Sequence, residues 1–283
     1  MSHKKDPVST PESPEVSQVQ DFWEAHPLSA YESPFQPGTK EFFHWHDQVR
    51  LTDVEPYSMH LYEFDRHAGE RVLDVGCGIG WLCRHFAAGG ANITGVDLTR
   101  RGVELTRKRL DGAGLKGTVI QASAEDLPFK TDSFDFVTSA GVLHHTPETR
   151  RGVREIHRVL RPGGRAMISL YYKNWLMTDR LWPFTRILVR NVFGHLPGRN
   201  AFRHVRTVDD FVRIYDGNEN VLGKSYSRSE TVTLLDGFEI ERLEIHYFPR
   251  RFLPLNHLLP NWMHRLLDRY CGLMIYTSLT KHK

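Results

Sequence analysis

The run from residue 74 to residue 80 joins a carboxylate to a glycine-rich turn. It reads DVGCGIG, from Asp74 to Gly80, and directly follows the apolar residues Val72 and Leu73. Glycines let a chain turn tightly and bring its backbone close to a ligand without an intervening Cβ. A helix that starts after such a turn offers free N–H groups to a polar ligand. The pattern predicts a ligand-binding turn between a strand and a helix.

A second carboxylate, Asp97, lies 21 residues after Gly76, at the end of the next predicted strand. A carboxylate in that place can accept hydrogen bonds from both ribose hydroxyl groups of an adenosine. A nicotinamide dinucleotide fingerprint would need glycine three positions after Gly78, where this chain has Trp81, and no phosphate loop of the GK[ST] type is present. The two motifs together predict a nucleoside-binding site of another kind.

The elements that must position these residues are strands and helices in alternation. Short apolar runs predict seven strands, at residues 71–75, 91–97, 118–121, 134–138, 166–172, 238–247 and 273–280. Amphipathic runs predict helices between them, at residues 81–88, 100–112, 149–160 and 229–235. This alternation predicts the α/β class, with a Rossmann-like, doubly wound, mostly parallel seven-stranded sheet.

The 283 residues exceed what such a sheet needs. We expect a disordered tail at 1–18, a helical N-terminal cap at 19–66 and one domain at 67–283. Insertions at 173–227 and 249–270 interrupt that domain, and each begins where a strand ends. Ligands of α/β sheets bind at the carboxyl ends of the strands. We therefore expect the cap and the two insertions to roof the site as lids.

Composition narrows the class of protein. With 40% hydrophobic and 25% charged residues, the chain is expected to fold, and a net charge of +3 argues against a nucleic-acid partner. The three cysteines form no CxxC pair, which indicates a reducing, cytoplasmic environment. No uninterrupted apolar run is long enough for a transmembrane segment. No HExxH motif or Cys/His quartet is present, so no metal site is predicted.

Taken in order, the motifs resemble those of the class I S-adenosylmethionine-dependent methyltransferases, and in particular the type 11 group. The resemblance covers residues 71–172 and implies S-adenosyl-L-methionine as the cofactor. It places the methionine part of the cofactor against Asp74, Gly76, Cys77 and Gly78. Because the C-terminal strands are compatible with the same fold, the resemblance implies a class I domain over residues 67–283.

The same resemblance assigns the rest of the cofactor. It places the ribose at Asp97, and it places the adenine and the remaining cofactor atoms near Leu98, Ala124, Glu125, Ser139 and Ala140. Many similar enzymes have aspartate where this chain has Ser123. A hydrogen bond to the adenine amino group is therefore expected to be weaker here or to come from another residue.

Three residues are candidates for catalysis. Transfer of a sulfonium methyl group is an in-line displacement that depends mainly on alignment, but an oxygen or nitrogen acceptor still has to lose a proton. His144 and His145 follow the fourth strand, and imidazole titrates near neutral pH. They are either loop-orienting residues or a base, with His145 preferred. Tyr171 and Tyr172 end the fifth strand, where one can face a substrate or fill core, and Tyr172 is the third candidate.

Four functions remain open, and the fourth and least favoured is a non-catalytic binding module. The favoured hypothesis is methyl transfer to oxygen or nitrogen of a small, largely apolar molecule, because an extensive roof suits a ligand closed off from water. The second is other S-adenosylmethionine chemistry, such as an intramolecular ring closure that releases methylthioadenosine. The third is an RNA or protein methyltransferase, indicated only by arginines on the helix at 149–160 and in the segment 173–206. That segment also allows peripheral membrane contact. The oligomeric state is not indicated.

Overall fold

A computed structural model describes residues 14–28, 30, 32–195, 200–250 and 258–282. Over this range the chain forms one seven-stranded sheet flanked by helices, which confirms the predicted α/β class. The strands are β1 (Arg71–Val75), β2 (Asn92–Asp97), β3 (Thr118–Gln121), β4 (Phe134–Ala140), β5 (Leu160–Tyr171), β6 (Phe238–His246) and β7 (Met274–Lys281).

Ten α-helices are found in the described residues. They are α1 (Val16–Ala25), α2 (Lys40–Val49), α3 (Ser58–Tyr62), α4 (Trp81–Ala88), α5 (Arg100–Gly112), α6 (Thr149–Val159), α7 (Trp182–Val192), α8 (Val208–Asp216), α9 (Arg228–Leu234) and α10 (Asn261–Cys271). Among these described helices, none has the length and apolar character needed to cross a bilayer. Helix α1 begins at Val16, inside the predicted tail at 1–18, of which residues 1–13 lie outside the described range.

The strand order is β3-β2-β1-β4-β5-β7-β6. Strands β1 to β5 run parallel to one another, whereas β7 runs antiparallel to both of its neighbours, β5 and β6. The order reverses between β1 and β4, and a reversal of this kind opens a crevice at the carboxyl ends of the two strands. The segments that follow β1 and β4 therefore have to build the ligand site.

The core lies in two layers, one on each face of the sheet. Along β1, Val72 belongs to the layer that contains Trp81 and Phe86, whereas Leu73 and Val75 belong to the other layer. All five side chains are buried. A parallel strand covered on both faces has to be apolar throughout, which explains why this run is continuous rather than alternating.

The glycine turn after β1 is fixed by its neighbours. Gly76 has a φ of 77°, and a Cβ at this position would lie 2.3 Å from a methyl carbon of Val142. The backbone N–H groups of Gly76 and Cys77 donate to the carbonyl of Val96, at 2.7 and 2.9 Å. Only glycine fits at residue 76, because both the backbone conformation and the space exclude a side chain.

The helices before β1 pack onto the sheet's own helices. Helix α2 starts at a Thr39 cap, whose hydroxyl accepts the N–H of Phe42. The Phe42 side chain is fully buried in a small cluster with Ile79 and Leu105. Helices thus occur in the region predicted as a cap, and they are joined to the core by aromatic side chains.

One strand differs from its predicted start. Strand β5 begins at Leu160 rather than at Ala166, because Leu160 already pairs with Phe134. The pairing then shifts register, and Gly163 has a φ of 69° within the irregular stretch. A bulge of this kind lets a strand continue through a Pro-Gly-Gly sequence that typically ends one.

Candidate functional site

A pocket lies at the carboxyl ends of β1, β2 and β4, and we call it the strand-end pocket. Its volume is about 150 Å³. Seven of the ten residues predicted to bind the cofactor line it: Gly76, Gly78, Asp97, Leu98, Ala124, Glu125 and Ala140. Since these residues come from three strand ends and the loop after β3, the fold brings together what the sequence motifs had suggested.

The other three predicted cofactor residues lie behind the wall of this pocket. Asp74 is buried and its carboxylate accepts a hydrogen bond from the Cys83 thiol at 3.3 Å. The Cys77 side chain is also buried, near the hydroxyl of Thr106, and Ser139 is fully buried. These side chains support the turn from below, and their predicted contact with the cofactor stays a prediction.

The buried Asp74 carboxyl is unusual in its ionisation. Removal from water raises its pKa to about 7, and the hydrogen bond from Cys83 only partly opposes this shift. The hydrogen bond with Cys77, together with burial, raises the pKa of Cys83 well above its usual value. The Cys83 thiol therefore stays protonated at neutral pH, whereas the Asp74 carboxyl is about half protonated there.

Asp97 joins the glycine turn to the edge of the pocket. Its Oδ2 atom accepts the N–H of Gly78 at 2.8 Å, and its Oδ1 atom accepts the N–H and hydroxyl of Thr99 at 2.9 and 2.6 Å. Each carboxylate oxygen has two lone pairs, so capacity remains for further donors on the pocket side. The arrangement holds the carboxylate in one orientation, as recognition of a diol requires.

The loop after β3 contributes the opposite wall. The Glu125 carboxylate accepts the backbone N–H of Glu148 at 2.7 Å, and the Ser123 hydroxyl accepts the N–H of Glu125 at 3.1 Å. Glu125 thus ties this loop to the start of α6. Ser123 lines the pocket as well, where many similar enzymes have aspartate.

Helix α1 covers the strand-end pocket. Val16, Val19 and Trp23 line it from above, and the Trp23 ring packs edge-on against His145 with centroids 5.1 Å apart. The Glu24 carboxylate accepts the N–H groups of Arg100 and Arg101, at 2.8 and 3.1 Å, at the first turn of α5. A carboxylate is favoured at a helix N-terminus by the helix dipole. The contact of Glu24 with α5 thus holds α1 over the pocket.

A second and larger cavity, which we call the wide cavity, adjoins the first and has a volume of about 630 Å³. Four tyrosines, four histidines and five charged residues are among its walls: Tyr171, Tyr215, Tyr247, Tyr276, His26, His46, His144, His145, Glu32, Arg50, Glu55, Asp216 and Glu219. The wall of this cavity thus combines apolar and polar groups, and the largely apolar acceptor stays a prediction.

The two cavities share part of their walls. The common residues are Trp23, Pro27, Leu28, Ala140, Gly141 and His145. The end of β4 and the residues after it thus form one side of the boundary between the two cavities. Trp23, Pro27 and Leu28 form the other side. A group held in one space can face a group held in the other across this boundary.

His145 is held at the boundary by two contacts. Its Nδ1 lies 2.6 Å from the carbonyl oxygen of Leu222, which can only accept, so Nδ1 carries a proton. Its Nε2 lies 3.0 Å from Oδ2 of Asp216. That oxygen accepts no hydrogen bond of good geometry from the described residues, whereas the other carboxylate oxygen accepts the Tyr171 hydroxyl at 2.8 Å. Asp216 therefore presents a buried acceptor to the wide cavity.

His144 has a different environment. Its Nδ1 accepts the backbone N–H of Tyr171 at 3.2 Å, and burial together with the neighbouring His145 lowers its pKa well below the usual value. A neutral imidazole that accepts at Nδ1 carries its proton on Nε2. His144 thus presents a donor to the cavity. Of the two histidines predicted as a base, His145, beside Asp216, remains the candidate.

The same three residues are the group in the described chain that could offer atoms to a metal ion. One ligand atom each from His144, His145 and Asp216 lies within 4.8 Å of the others. A metal ligand needs a free nitrogen lone pair, but His144 uses that of Nδ1 for the Tyr171 N–H. The three residues are therefore better arranged to exchange protons than to bind a metal ion.

The choice between the two tyrosines of β5 is corrected by the structure. Tyr171 lines the wide cavity, whereas Tyr172 packs on the opposite face of the sheet and forms an isolated bridge with Tyr226. Successive residues of a strand point to opposite faces, so only one of the two can face the site. Tyr172 is therefore not near the candidate chemistry.

A second polar cluster lies on the far wall of the wide cavity. The Glu55 carboxylate accepts hydrogen bonds from Arg50 at 2.7 Å and from the Tyr276 hydroxyl at 2.8 Å. The Arg50 guanidinium also lies 4.5 Å from the centre of the Trp81 ring. Arg50 begins a π-helical turn, Arg50–Val54, and such turns often occur at functional sites.

Residues 73–168 match the family model described as "Methyltransferase domain". Over these residues the chain is similar to that methyltransferase domain. The matched range runs from β1 into β5, and it therefore contains the glycine turn, Asp97, His144 and His145.

Two curated relatives are similar over this domain. A demethylmenaquinone methyltransferase of Clavibacter sepedonicus is 43% identical over 101 residues, which is 36% of this chain and 41% of that protein. A ubiquinone biosynthesis O-methyltransferase of Aromatoleum aromaticum is 38% identical over 129 residues, which is 44% of this chain and 54% of that protein. The chain thus spans about half the length of these relatives or less.

A solved structure is similar over nearly the whole chain. The structure described as the [4+2]-cyclase SpnF is 17% identical, has a TM-score of 0.56, and covers 96% of this chain and 98% of its own. At this level of identity the likeness concerns the fold alone. This likeness in fold extends to the parts of the chain that lie outside residues 73–168.

Several residues of the site were not found from the sequence. Asp216 lies in a stretch that the sequence indicates only as a turn, and it is 71 residues away from His145. Arg50 and Glu55 belong to the N-terminal helices, where no motif marks them. The end of the fifth strand was the signal for Tyr171, and it did not show which of Tyr171 and Tyr172 faces the site.

Proposed function

We propose that the chain is an S-adenosylmethionine-dependent methyltransferase that transfers the methyl group to an oxygen or nitrogen of a small molecule. The observation that carries this proposal is the shared wall of the two cavities at Ala140, Gly141 and His145. Methyl transfer needs a donor and an acceptor held in line, each in its own space, with only the reacting atoms in contact.

The strand-end pocket would hold the cofactor. Asp97 would accept the ribose hydroxyl groups, and Gly78 would leave room for the amino acid part, because a Cβ there would meet no protein atom closer than 4.0 Å. Leu98 and Ala124 would contact the adenine. When bound, the cofactor supplies an electrophilic methyl group on a sulfonium centre.

The wide cavity would hold the acceptor. Its tyrosines, histidines and carboxylates can hydrogen-bond to hydroxyl or amino groups, so an acceptor with several such groups fits better than a hydrocarbon. The names of the two curated relatives refer to quinone pathways, and hydroquinone and catechol hydroxyls are therefore sensible first acceptors to test.

The pair formed by His145 and Asp216 would accept the acceptor's proton. Oδ2 of Asp216 faces the wide cavity without a hydrogen-bond donor of good geometry among the described residues, and Nε2 of His145 lies 3.0 Å away. The Tyr171 hydroxyl would hold the other carboxylate oxygen in place. Helix α1 would exclude water, since Trp23 lies over His145.

The test is mass spectrometry of the products of purified protein. With S-adenosylmethionine alone no turnover is expected, and with a suitable acceptor S-adenosylhomocysteine and a methylated product should form in equal amounts. Methylthioadenosine formed without an acceptor would indicate ring closure instead. Transfer of labelled methyl groups only to RNA or protein would contradict a small-molecule acceptor.

A further inference from the structure

A group of apolar side chains is exposed along the outside of the two insertions. Phe184 on α7 is 71% exposed, Leu188 on the same helix 65%, and Trp262 on α10 59%. Five further exposed apolar residues belong to the group: Trp175, Ile187, Leu258, Leu266 and Tyr270. Both helices contact the short turn Trp175–Met177, so the exposed residues lie on neighbouring elements. We call the eight residues the basic apolar face.

Each helix presents these residues as a stripe. On α7, Phe184, Ile187 and Leu188 follow the spacing of one helical face, whereas the buried Trp182 packs inward. On α10, Trp262, Leu266 and Tyr270 recur every four residues. A helix that exposes an aromatic and aliphatic stripe of this kind has only part of its apolar surface covered by its own fold.

The charge of the two insertions is strongly one-sided. The insertions at 173–227 and 249–270 hold thirteen Lys or Arg residues and six Asp or Glu residues, which is seven positive charges net, although the whole chain has only +3. The remainder of the chain therefore carries four negative charges net. The one carboxylate of the second insertion, Asp268, faces inward, where it contacts His246 at 2.8 Å and accepts the N–H of Phe248 at 3.0 Å.

The arginines divide into two groups. Arg190 and Arg203 donate to the backbone carbonyls of Val205 and Gly194, so they hold the first insertion together. Arg180, Arg265 and Arg269 are exposed beside the apolar stripes. On α10 the alternation of Arg265 and Arg269 with Leu266 and Tyr270 places guanidinium groups along the edge of the apolar surface.

We propose that the basic apolar face docks on the surface of a membrane that contains anionic phospholipids. Such a surface offers phosphate groups to arginines and, a few ångströms deeper, hydrocarbon to tryptophan, phenylalanine and leucine. The helices would lie in the plane of the interface. This surface contact is separate from the proposed chemistry.

Other occupants fit the observations less well. A second copy of the chain would bring two sets of arginines together, with only Asp179 as an exposed carboxylate in 175–192 and 258–271 to pair with them. An RNA strand would use the arginines but would leave Ile187, Leu188 and Leu266 exposed, since bases stack on aromatic rings rather than on branched aliphatic side chains.

The test is sedimentation of the full chain with vesicles of phosphatidylglycerol and phosphatidylcholine, compared with vesicles of phosphatidylcholine alone. Binding is expected only to the anionic vesicles at low salt, and it should weaken as salt rises. Replacing both Arg265 and Arg269 by Gln should lower the partition constant about 25-fold, at about fivefold for each arginine.

A matched pair of variants separates the face from general charge effects. The double variant Leu188→Glu with Trp262→Glu should lose vesicle binding, whereas Met59→Glu with Val232→Glu, which alters exposed apolar residues elsewhere by the same charge, should keep it. Equal thermal unfolding midpoints would show that both variants fold. Absence of binding to anionic vesicles, or equal binding by both variants, would overturn the proposal.

Two further measurements address the other occupants. A dimer that Leu188→Glu dissociates, together with no vesicle binding, would assign the face to a second copy. Salt-sensitive binding to a single-stranded RNA without vesicle binding would assign it to nucleic acid. Because none of these measurements uses methyl transfer, failure of the membrane proposal leaves the proposed function untouched, and the reverse also holds.

Discussion

The strand-end pocket and the wide cavity share a boundary but are built in different ways. The first consists mainly of residues between Gly76 and Pro147, and the ends of the four successive strands β1 to β4 form most of its wall. The second collects residues from Trp23 to Tyr276, including α8, β5 and β7. The pocket is thus a product of local motifs, whereas the cavity exists only after distant elements have packed.

This difference separates two kinds of specificity. A site made by local turns is fixed once a short stretch folds, so many proteins can share it. A cavity made by insertions can change its walls without disturbing the sheet, because loops at the carboxyl ends of strands tolerate replacement. The comparison predicts that variants of the pocket affect cofactor binding and that variants of the cavity affect the acceptor step.

The largest effect is expected in the wide cavity. Replacing Asp216 by Asn removes the carboxylate that faces Nε2 of His145, and kcat should fall on the order of 10²- to 10⁴-fold, which is typical for loss of a base. Cofactor affinity, measured by calorimetry, should stay the same. The control is Asp236→Asn, the same change at an exposed residue outside the cavity. Equal activity of both variants would contradict the assignment of a base.

The second effect concerns stability and belongs to the pocket side. Because the pKa of Asp74 is about 7 in the fold and near 3.8 in the unfolded chain, the unfolded state loses its proton first as pH rises. The stability that the protonated carboxyl provides below pH 4 is therefore lost between about pH 4 and pH 7. In the cofactor-free protein, Asp74→Asn should reduce this loss by on the order of 4 kcal/mol.

Urea unfolding of both proteins at several pH values measures that difference. The gap in free energy of unfolding between the variant and the natural protein should widen steadily as pH rises towards neutrality. A gap that stays constant over this range would mean that Asp74 ionises normally, and that the glycine turn rests on a charged group.

The third effect concerns the cofactor. Asp97→Ala removes an ionised acceptor for two ribose hydroxyl groups, and the Kd for S-adenosylhomocysteine should rise about 100-fold. Calorimetry measures it directly. Glu104→Ala on α5 makes the same change of charge at an exposed position and should leave the Kd unchanged. Unaltered affinity of the Asp97 variant would disprove the cofactor assignment of the strand-end pocket.

The smallest effect is expected at the lid, where the two regions meet. Glu24→Gln weakens the contact between α1 and the first turn of α5, so the cofactor should dissociate about fivefold faster. Stopped-flow measurement of dissociation tests this, with the exposed Asp21→Asn on the same helix as the control. If both variants release the cofactor at the natural rate, α1 does not restrain it.

The sequence predicted the pocket side better than the cavity side, for a physical reason. Strands β1 to β4 and helices α4 to α6 were placed to within one or two residues, because apolar runs and glycine turns are local signals. Seven of the ten predicted cofactor residues reach the pocket for the same reason. Whether a residue such as Asp74 or Ser139 lines the pocket depends on which way its side chain points at a strand end, and the sequence does not show this.

The cavity side could not be predicted in this way. Asp216 and His145 meet only because the first insertion folds back over β4, and nothing in the spacing of the two residues indicates it. Tyr171 and Tyr172 differ only by the face of β5 on which each lies. Arg50 and Glu55 form an ion pair within an irregular helical turn, where periodicity gives no guidance.

Strand β7 lies between β5 and β6, although it follows both in the chain. During synthesis, β1 to β5 leave the ribosome first and can assemble the glycine turn and the Asp97 edge. Strand β6 then waits without a neighbour until β7 emerges. Strand β7 also contributes Met274 and Tyr276 to the wide cavity. The nascent chain would therefore form the nucleoside-binding strand ends before it forms the cavity for the acceptor.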